Sequence, residues 1–589
     1  MKRLTGLRSI TLRLAWLASL SPIVLLGAVR IAIAAEFFCQ SGNVTCLIAA
    51  INASNQNGQR NTINLEVGQY MLTTVDNITD GANGLPSITG KITIQGPEGT
   101  GSTIERDPGA ASFRLFHVVT TGILNLKWLG LRGGDLGSSP CEDAGSRNCS
   151  SGSAILSRGN VSIFRNAIYN NTALGISDGG AIFSIQGSLT ISQTDIRDND
   201  FPDQSVGGGI SSLMGPLLIE DSFIFQNGSD IGGGIFTGGD AIIRRTTIFS
   251  NKTRRGFGAG IRNDGQLTIE NSTIDRNVSG SGTNGGGGIF NRGNLTLVSS
   301  TVSRNVVNQS GTGPGAGIYN TGTAFILNST ITQNNNNDGG IGGLKNDGNA
   351  TLQNTILGGN TSSNFFGNIS PSDCNSATSV GNNIIGDPTG CSIDLQATDL
   401  TGDPGLAEYT EDLSTAGSGR YPLFASSHAI DSASPAGCPK TDQLSLPRLG
   451  TCDIGSVEFQ TRMLVPIDIR PQSDANKINP NSINLINVAI LSGNDFDATT
   501  VAPNTVRFGA TGTEAAPISI ALRDVDGDRH RDMVLQFAIP DTGINCGDSS
   551  ASLMGQTSTG VFFIGSNPIT TVQCKKQDQP LIISTFSGR

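Results

Sequence analysis

Residues 258–277 read Gly-Ala-Gly-Ile-Arg-Asn-Asp-Gly-Gln-Leu-Thr-Ile-Glu-Asn-Ser-Thr-Ile-Asp-Arg-Asn. Within them Leu267-Thr268-Ile269 alternates with period two, so Leu267 and Ile269 share one face of a strand and Thr268 the other; Ser272-Thr273-Ile274 opens a second short strand. Asn263-Asp264-Gly265 supplies residues that tolerate positive φ, which predicts a sharp corner there, as at Asn291-Arg292-Gly293 and Asn346-Asp347-Gly348. No amphipathic stretch of helical period survives the glycine pairs.

The same phrase recurs from about residue 150 to 360: a Gly-rich pair, Ile, a Gly turn, an alternating strand and a closing Ile-x-x-Asn. Its first aliphatic appears as Ile155, Ile182, Ile210, Ile235, Ile261, Ile289, Ile318 and Leu344, at intervals of 25 to 29 residues. The closing asparagines, from Asn171 through Asn199, Asn227, Asn251, Asn277, Asn305 and Asn334 to Asn360, keep the same beat. Strands this short bury an apolar face only by coiling and stacking turn on turn, so the chain is expected to be all-β, a parallel β-helix or solenoid, with crossover chirality making it right-handed. Stacking repeats equivalent residues every ~4.8 Å, so the isoleucines fill the interior and the asparagines form a structural amide ladder rather than a ligand site. Alternation at Ile63-Asn64-Leu65, Ile92-Thr93-Ile94 and Leu124-Asn125-Leu126 starts the coil well before residue 150.

Composition narrows function. Of 589 residues 78 are Gly, 15% are charged and 5% aromatic. Three histidines, His117, His428 and His530, are too few for a His-rich metal centre. Lys2, Arg3, Arg8 and Arg13 precede an apolar run from Ala15 to Val29 and the small-x-small site Ala32-Ile33-Ala34, which reads as an export signal over residues 1–34, with an uncleaved anchor as the competing reading. Its removal takes the net charge from −10 to −15, a poor balance for nucleic-acid binding, and leaves no later span for a membrane. Ten cysteines fall as sequence neighbours, Cys39 with Cys46, Cys141 with Cys149, Cys374 with Cys391, Cys438 with Cys452 and Cys546 with Cys574, so five local disulfides are expected, although sequence alone does not fix the connectivity. Such bridges imply an oxidising, extracellular or cell-surface location. The polar stretch from Ser138 to Ser153 is expected to project as a disulfide-closed loop.

Cys39, Cys46-Leu47-Ile48-Ala49-Ala50-Ile51-Asn52, Asn55 and Asn61-Thr62-Ile63-Asn64-Leu65 resemble the Cys-Ser-Leu-Arg-Glu-Ala opening segment of secreted bacterial β-helix proteins. Leu47-Ile48-Ala49 departs from the Leu-Arg-Glu form, so only a capping role carries over. The Gly-Gly-x-Ile and Ile-x-x-Asn phrases resemble repeats of polymorphic outer-membrane proteins. Ser434-Pro435, Cys438, Thr441-Asp442-Gln443, Arg448, Cys452-Asp453-Ile454-Gly455 and Glu458-Phe459 resemble the closing, choice-of-anchor segment of such proteins. Together these cover most of residues 36–460 and imply secretion or surface display, seldom a defined activity.

The β-helix is therefore expected over residues 35–460. Beyond Gln460 the repeat phrase is absent and spaced strands predict a small β-sandwich over 461–589. It resembles a carboxy-terminal module of other secreted bacterial proteins, with no activity attached. It carries Asp524, Asp526, Asp528 and Asp532 at relative positions one, three, five and nine. These are hard oxygen ligands suited to a structural calcium ion, with the His530 carbonyl as a further donor; the competing reading is a solvated acidic turn. Arg529 at position six and Leu535 at twelve exclude a helix-loop-helix sensor.

Catalytic residues do not emerge. Asp195, Asp198, Glu220 and Asp221 with Arg197 are the nearest approach to a cluster, but turn alignment puts Glu220, Arg244 and Glu270 in one column of alternating charge, which reads as cross-coil pairing. Arg244, Arg245, Lys252, Arg254 and Arg255 form a basic patch for an anionic glycan, or a solvated loop. The expected function is a non-catalytic exported monomer displaying adhesive or glycan-binding loops towards a polysaccharide or a host or neighbour-cell surface; the alternative is a polysaccharide lyase or glycoside hydrolase acting on acidic polysaccharide.

Overall fold

The computed structural model describes residues 34–574 except 100, 138–149, 174–178, 202–204, 281–284, 309–314, 365, 449, 460–461, 472, 474, 494–495 and 559–560. Residues 1–33 of the export signal and the Cys141–Cys149 pair lie outside the described residues. The chain divides into two compact units at Val457/Glu458, with the short stretch Pro422–Ile430 grouped with the second.

The first unit is a parallel β-solenoid. Among the described residues its strands stack into a first sheet of thirteen, from Glu36–Cys39 to Thr378–Gly381, and a second of thirteen, from Gln69–Leu72 to Leu400–Thr401. A third has nine, from Phe116–Val118 to Leu344–Asn346, and a narrow fourth has seven, from Gly228–Ser229 to Ile369–Pro371. One coil runs Gln266–Glu270 in the first sheet, Thr273–Asp275 in the second, Val278–Ser279 in the fourth and Ile289–Asn291 in the third. The next coil repeats it in register, Leu267 opposite Leu295, Ile274 opposite Val302 and Ile289 opposite Ile318. Among the described strand pairs of these four sheets only the last of the fourth, Thr361–Ser363 with Ile369–Pro371, is antiparallel.

The interior is dry and aliphatic. All eight residues of the column from Ile155 to Leu344 are fully buried, and so are Ile168, Ile196, Ile224, Ile248 and Ile274 of the second sheet. Each such side chain contributes about 1.5–3 kcal/mol by burial. The asparagine column is also buried: each Nδ2 donates to the Oδ1 of the next coil at 2.9–3.0 Å from Asn171 to Asn360, and Asn360 hands on to Asp373 Oδ1 at 2.8 Å. A shorter second ladder joins Asn263, Asn291, Asn320 and Asn346 at 2.6–2.7 Å.

The corners correct one expectation. Left-handed backbone falls on single residues just ahead of the ladder, such as Asn271 (φ 50°) before Ser272 and Arg276 (φ 52°) before Asn277, and not on Asn263 or Asp264. Gly265, Gly293, Gly322 and Gly348 are needed for a different reason. They stack so closely that a Cβ on Gly293 would lie 2.0 Å from Gly265 O, and one on Gly322 2.1 Å from Gly293 O.

Helix α1 (Val44–Asn57) closes the N-terminal end. The Asn43 side chain accepts from Cys46 N, Gly58 ends the helix with φ 68°, and Leu47, Ala50 and Ile51 enter the core. Disulfides join Cys39–Cys46, Cys374–Cys391, Cys438–Cys452 and Cys546–Cys574.

After Thr401 the chain returns over the outer face of the second sheet. Gly417 N donates to Thr247 Oγ1 (2.7 Å), Thr273 Oγ1 to Gly419 O (2.8 Å), Thr301 Oγ1 to Gln443 Oε1 (2.6 Å) and Ser456 N to Thr330 Oγ1 (3.0 Å). The quoted closing motif thus acts as a strap, with Arg448 pinning its own loop through Asp453 O and Gly455 O.

The second unit holds two small four-stranded sheets in a sandwich-like arrangement. One contains Arg462–Leu464, Val501–Gly509, Ser550–Thr557 and Phe562–Pro568; the other Ile467–Ile469, Leu485–Ile490, Ser519–Arg523 and Asp532–Ala538. Phe508 and Phe537, one from each, pack at 5.1 Å between ring centroids in a shared core with Val488, Leu535, Leu553 and Phe563.

Candidate functional site

Two outward columns line the second sheet. In one, Arg132, Tyr169, Arg197, Phe225, Phe249 and Asp275 stand opposite one another in successive coils; in the other run Gly130, Ala167, Asp195, Phe223, Thr247 and Thr273. The strap buries the later part of this face, where Thr273, Thr301 and Asp275 are fully buried. It leaves the earlier coils open.

On the open part the side chains form a ribbed strip. The Arg197 guanidinium lies 4.6 Å above the Tyr169 ring, Phe225 and Phe249 stack at 4.8 Å with planes 11° apart, and Arg276 caps Phe249 at 5.6 Å. Because Gly130 and Ala167 are small, a recess of about 640 Å³ opens above them, walled by Glu98, Trp128, Arg165, Tyr169, Asp195 and Arg197. Trp128 sits at the corner position that its coil and the described coils after it hold in the left-handed region (φ 54°), so the coil geometry fixes a bulky ring where the next coils place Arg165 and Gln193. A second recess of about 200 Å³ shares Asp195 and is closed by Phe223, Phe225, Phe249 and the strap residues Glu411 and Asp412. Around the corner a groove of about 1040 Å³ is lined by Asp198, Asp200, Lys252, Arg254 and Arg276.

Charge in this region is largely matched. Arg165 meets Glu98 at 2.8 Å, Arg197 meets Asp198 at 2.5 Å, Arg254 meets Asp200 at 2.6 Å, Arg276 meets Asp275 at 2.7 Å, and Arg132 pairs with Glu105. Among the described charges that line these recesses, Asp195, Asp412 and Lys252 have no ion-pair partner within 4 Å. Asp195 opens to the recess but is flanked by protein, and this desolvation raises its carboxyl above the usual range against the opposing pull of Arg197.

The basic patch read from the sequence is divided. Arg244 lies between Glu220 (3.6 Å) and Glu270 (3.1 Å) in the expected alternating column, and Arg245 holds Asp221 at 2.6 Å. Arg255 meets the buried Asp230 at 3.2 Å. Only Lys252 and Arg254 of the five line the groove. The ring residues were missed by the sequence reading, yet the signal is present. The first variable position of Ile-x-x-Asn runs Tyr169, Arg197, Phe225, Phe249 on the open face and then Asp275 and Ser303 under the strap.

In the second unit Asp524, Asp526 and Asp532 bring carboxylate oxygens within 4.8 Å of one another, an arrangement able to hold a metal ion. Asp532 is buried at the start of its strand and accepts from Ser492 N and Val525 N; Asp524 accepts from Gly527 N and Arg529 N. Asp528 is turned aside to His530, whose backbone N–H and ring Nδ1 it meets at 2.7 and 2.9 Å. The Asp528 contact raises the imidazole, and the His530 backbone N–H lowers the Asp528 carboxyl. The bond from Asp528 N favours ionised Asp526, but desolvation and the charges of Asp532, Asp528 and Asp524 outweigh it and the group is raised. A cation would relieve that repulsion.

No protein-family model matches the chain, and no curated protein matches it. Among solved structures it is similar to the A-module of mannuronan C-5 epimerase AlgE6 from Azotobacter vinelandii, at 14% identity over 62% of this chain and 92% of that one, with a TM-score of 0.29. Identity and score are too low to carry an activity across. The resemblances of the opening and closing segments therefore stand on their quoted residues alone.

Proposed function

We propose that this chain is a non-catalytic exported protein, surface-bound or secreted, that acts as a monomer and presents a glycan-binding face on a β-helical scaffold. The observation that carries this reading is the open part of the second sheet's outer face, where rings, hydrogen-bonding charges and a recess converge on a rigid surface. Four disulfides support an oxidising location, and no described helix is long and apolar enough to cross a membrane. Affinity electrophoresis of the full chain through gels containing a panel of polysaccharides is expected to retard it in at least one; free migration in all of them would end the glycan reading.

Asp195 favours a second reading, a lyase or glycoside hydrolase, because a carboxyl raised by its surroundings is suited to proton donation. Hydrolysis also needs a second available carboxylate. Glu411 is held by the Tyr409 hydroxyl and Asp412 by Ser414 and Thr415. New reducing ends or unsaturated product from any polymer, lost in Asp195→Asn, would establish catalysis.

The Asp524, Asp526 and Asp532 cluster is read as a structural calcium site, with Asp528 and the His530 carbonyl completing it only after a local rearrangement. Calcium titration of the full chain by calorimetry is expected to give heat that Asp526→Ala abolishes; identical melting with calcium and with chelator would remove the site.

A further inference from the structure

The open face is nearly balanced in charge, on a chain that is strongly acidic overall, and this bears on what it binds. Its two recesses and the adjoining groove are lined by six acidic and five basic side chains. The arginines among them already face carboxylates at 2.5–2.8 Å. Three lining charges remain without an ion pair, Asp195, Asp412 and Lys252, two acidic and one basic. An anionic polymer would have to displace carboxylates from those pairs while approaching a chain of net charge −10. A neutral polymer meets no such cost. Its hydroxyls use the outer lone pairs and N–H groups of intact ion pairs, and its apolar C–H groups rest on the outward edges of the ring strip, whose stacked faces are turned to one another.

Geometry adds the direction. Phe225 and Phe249 repeat at 4.8 Å, the spacing of the coils themselves, so the rings stand as rungs across the solenoid axis. A ligand matching that period runs along the axis, and the coil rise is close to the length of one pyranose unit in an extended chain. The recess over Gly130 and Ala167 lies at one end of the strip and the strap residue Glu411 borders the other, so the open run is finite.

We infer that this face binds an uncharged, extended polysaccharide lying along the coil axis, about one sugar per coil, with Tyr169, Phe225 and Phe249 as its apolar contacts. The inference rests on the glycan-binding reading and makes it specific.

The test uses the full chain against two neutral polymers, xyloglucan and galactomannan, and two anionic ones, polygalacturonate and alginate, at low and high sodium chloride. The expected result is retention by a neutral polymer, changed less than twofold by salt, and weakened at least tenfold in Phe225→Ala/Phe249→Ala. Circular dichroism and melting of that variant report its fold, and Phe225→Leu provides a milder change that keeps the volume. Retention only by the uronic-acid polymers, weakening with salt, would overturn the inference while sparing the broader glycan reading. Neutral binding that survives in the folded double variant would overturn the placement. Failure to bind any of the four, with retention in a wider panel, would overturn the polymer class; no retention anywhere would sink both.

Discussion

The outer face of the second sheet is one surface built twice. Under Thr273, Asp275, Thr301 and Ser303 it is a covered interface, with small polar side chains hydrogen-bonded to the returning strap. Under Tyr169, Asp195, Arg197 and Phe225 it is open, with rings and long charged side chains. The interior behind both halves is the same: Ile196 and Ile224 behind the open half are as fully buried as Ile274 and Val302 behind the covered one. What differs is therefore decided at the outward positions of each repeat. A threonine hydroxyl satisfies a strap carbonyl in a dry contact, whereas a phenylalanine at that place would exclude the strap and keep the surface available.

Breaking the covered half should have the largest effect. Asp275 is fully buried and is held by Arg276 and by Arg304 at 2.6 Å, with Arg304 stacked 3.5 Å from the Tyr409 ring. Removing one member of a buried ion pair costs about 3–5 kcal/mol, so Asp275→Ala should lower the denaturant midpoint strongly, while Asp195→Asn on the open half leaves it unchanged or slightly raised. An unchanged midpoint in Asp275→Ala would mean that the buried Asp275 pairs contribute nothing to the covered half.

Alkaline titration sharpens the same contrast. Burial of the strap's own underside against the sheet pushes the Tyr421 hydroxyl up to about 12 and raises Tyr409 as well. Because the folded pKa lies above the unfolded value near 10, this contribution is complete below pH 10 and is lost as pH rises from 10 to 12. A two-unit shift amounts to about 2–3 kcal/mol. Tyrosinate absorbance should rise together with protease sensitivity of the strap, and Tyr421→Phe should diminish that pH dependence. Gln443 comes next: its side chain accepts from Thr301 and donates to Gly417 O and Gly419 O, so Gln443→Ala leaves buried groups unpaired at about 1–3 kcal/mol. Hydrogen exchange should then quicken around Thr301. The smallest stability effect belongs to the open half, where Phe249→Ala removes a stacked ring pair worth about 0.5–1.5 kcal/mol beyond its burial. Loss of glycan retention with little change in melting is the expected outcome, and a large drop in melting would reclassify the strip as structural.

Much of this was legible in the residues. The beat of Ile155 to Leu344 and of Asn171 to Asn360 predicts the coil, its interior and its ladder, because stacking places identical positions over one another and any repeated side chain must then tolerate its own copy as neighbour. The Glu220, Arg244, Glu270 column follows from the same alignment. The glycines of Asn-x-Gly were legible as obligatory but not for the right reason, since only coordinates reveal that a neighbouring coil's carbonyl occupies the place of their Cβ.

By itself, then, the sequence determined that the middle of the chain winds into a solenoid with an aliphatic interior, a property carried by local periodicity and nearest-coil contacts. Tertiary structure decided which stretch of outer face is exposed. That depends on where strap residues such as Gly417, Gly419, Gln443 and Ser456 come to rest on coils more than a hundred positions earlier, and no periodic pattern encodes such a long-range contact. It likewise decided that four arginines of a basic-looking segment are neutralised by carboxylates from other coils, because charge pairing is set by distance in space.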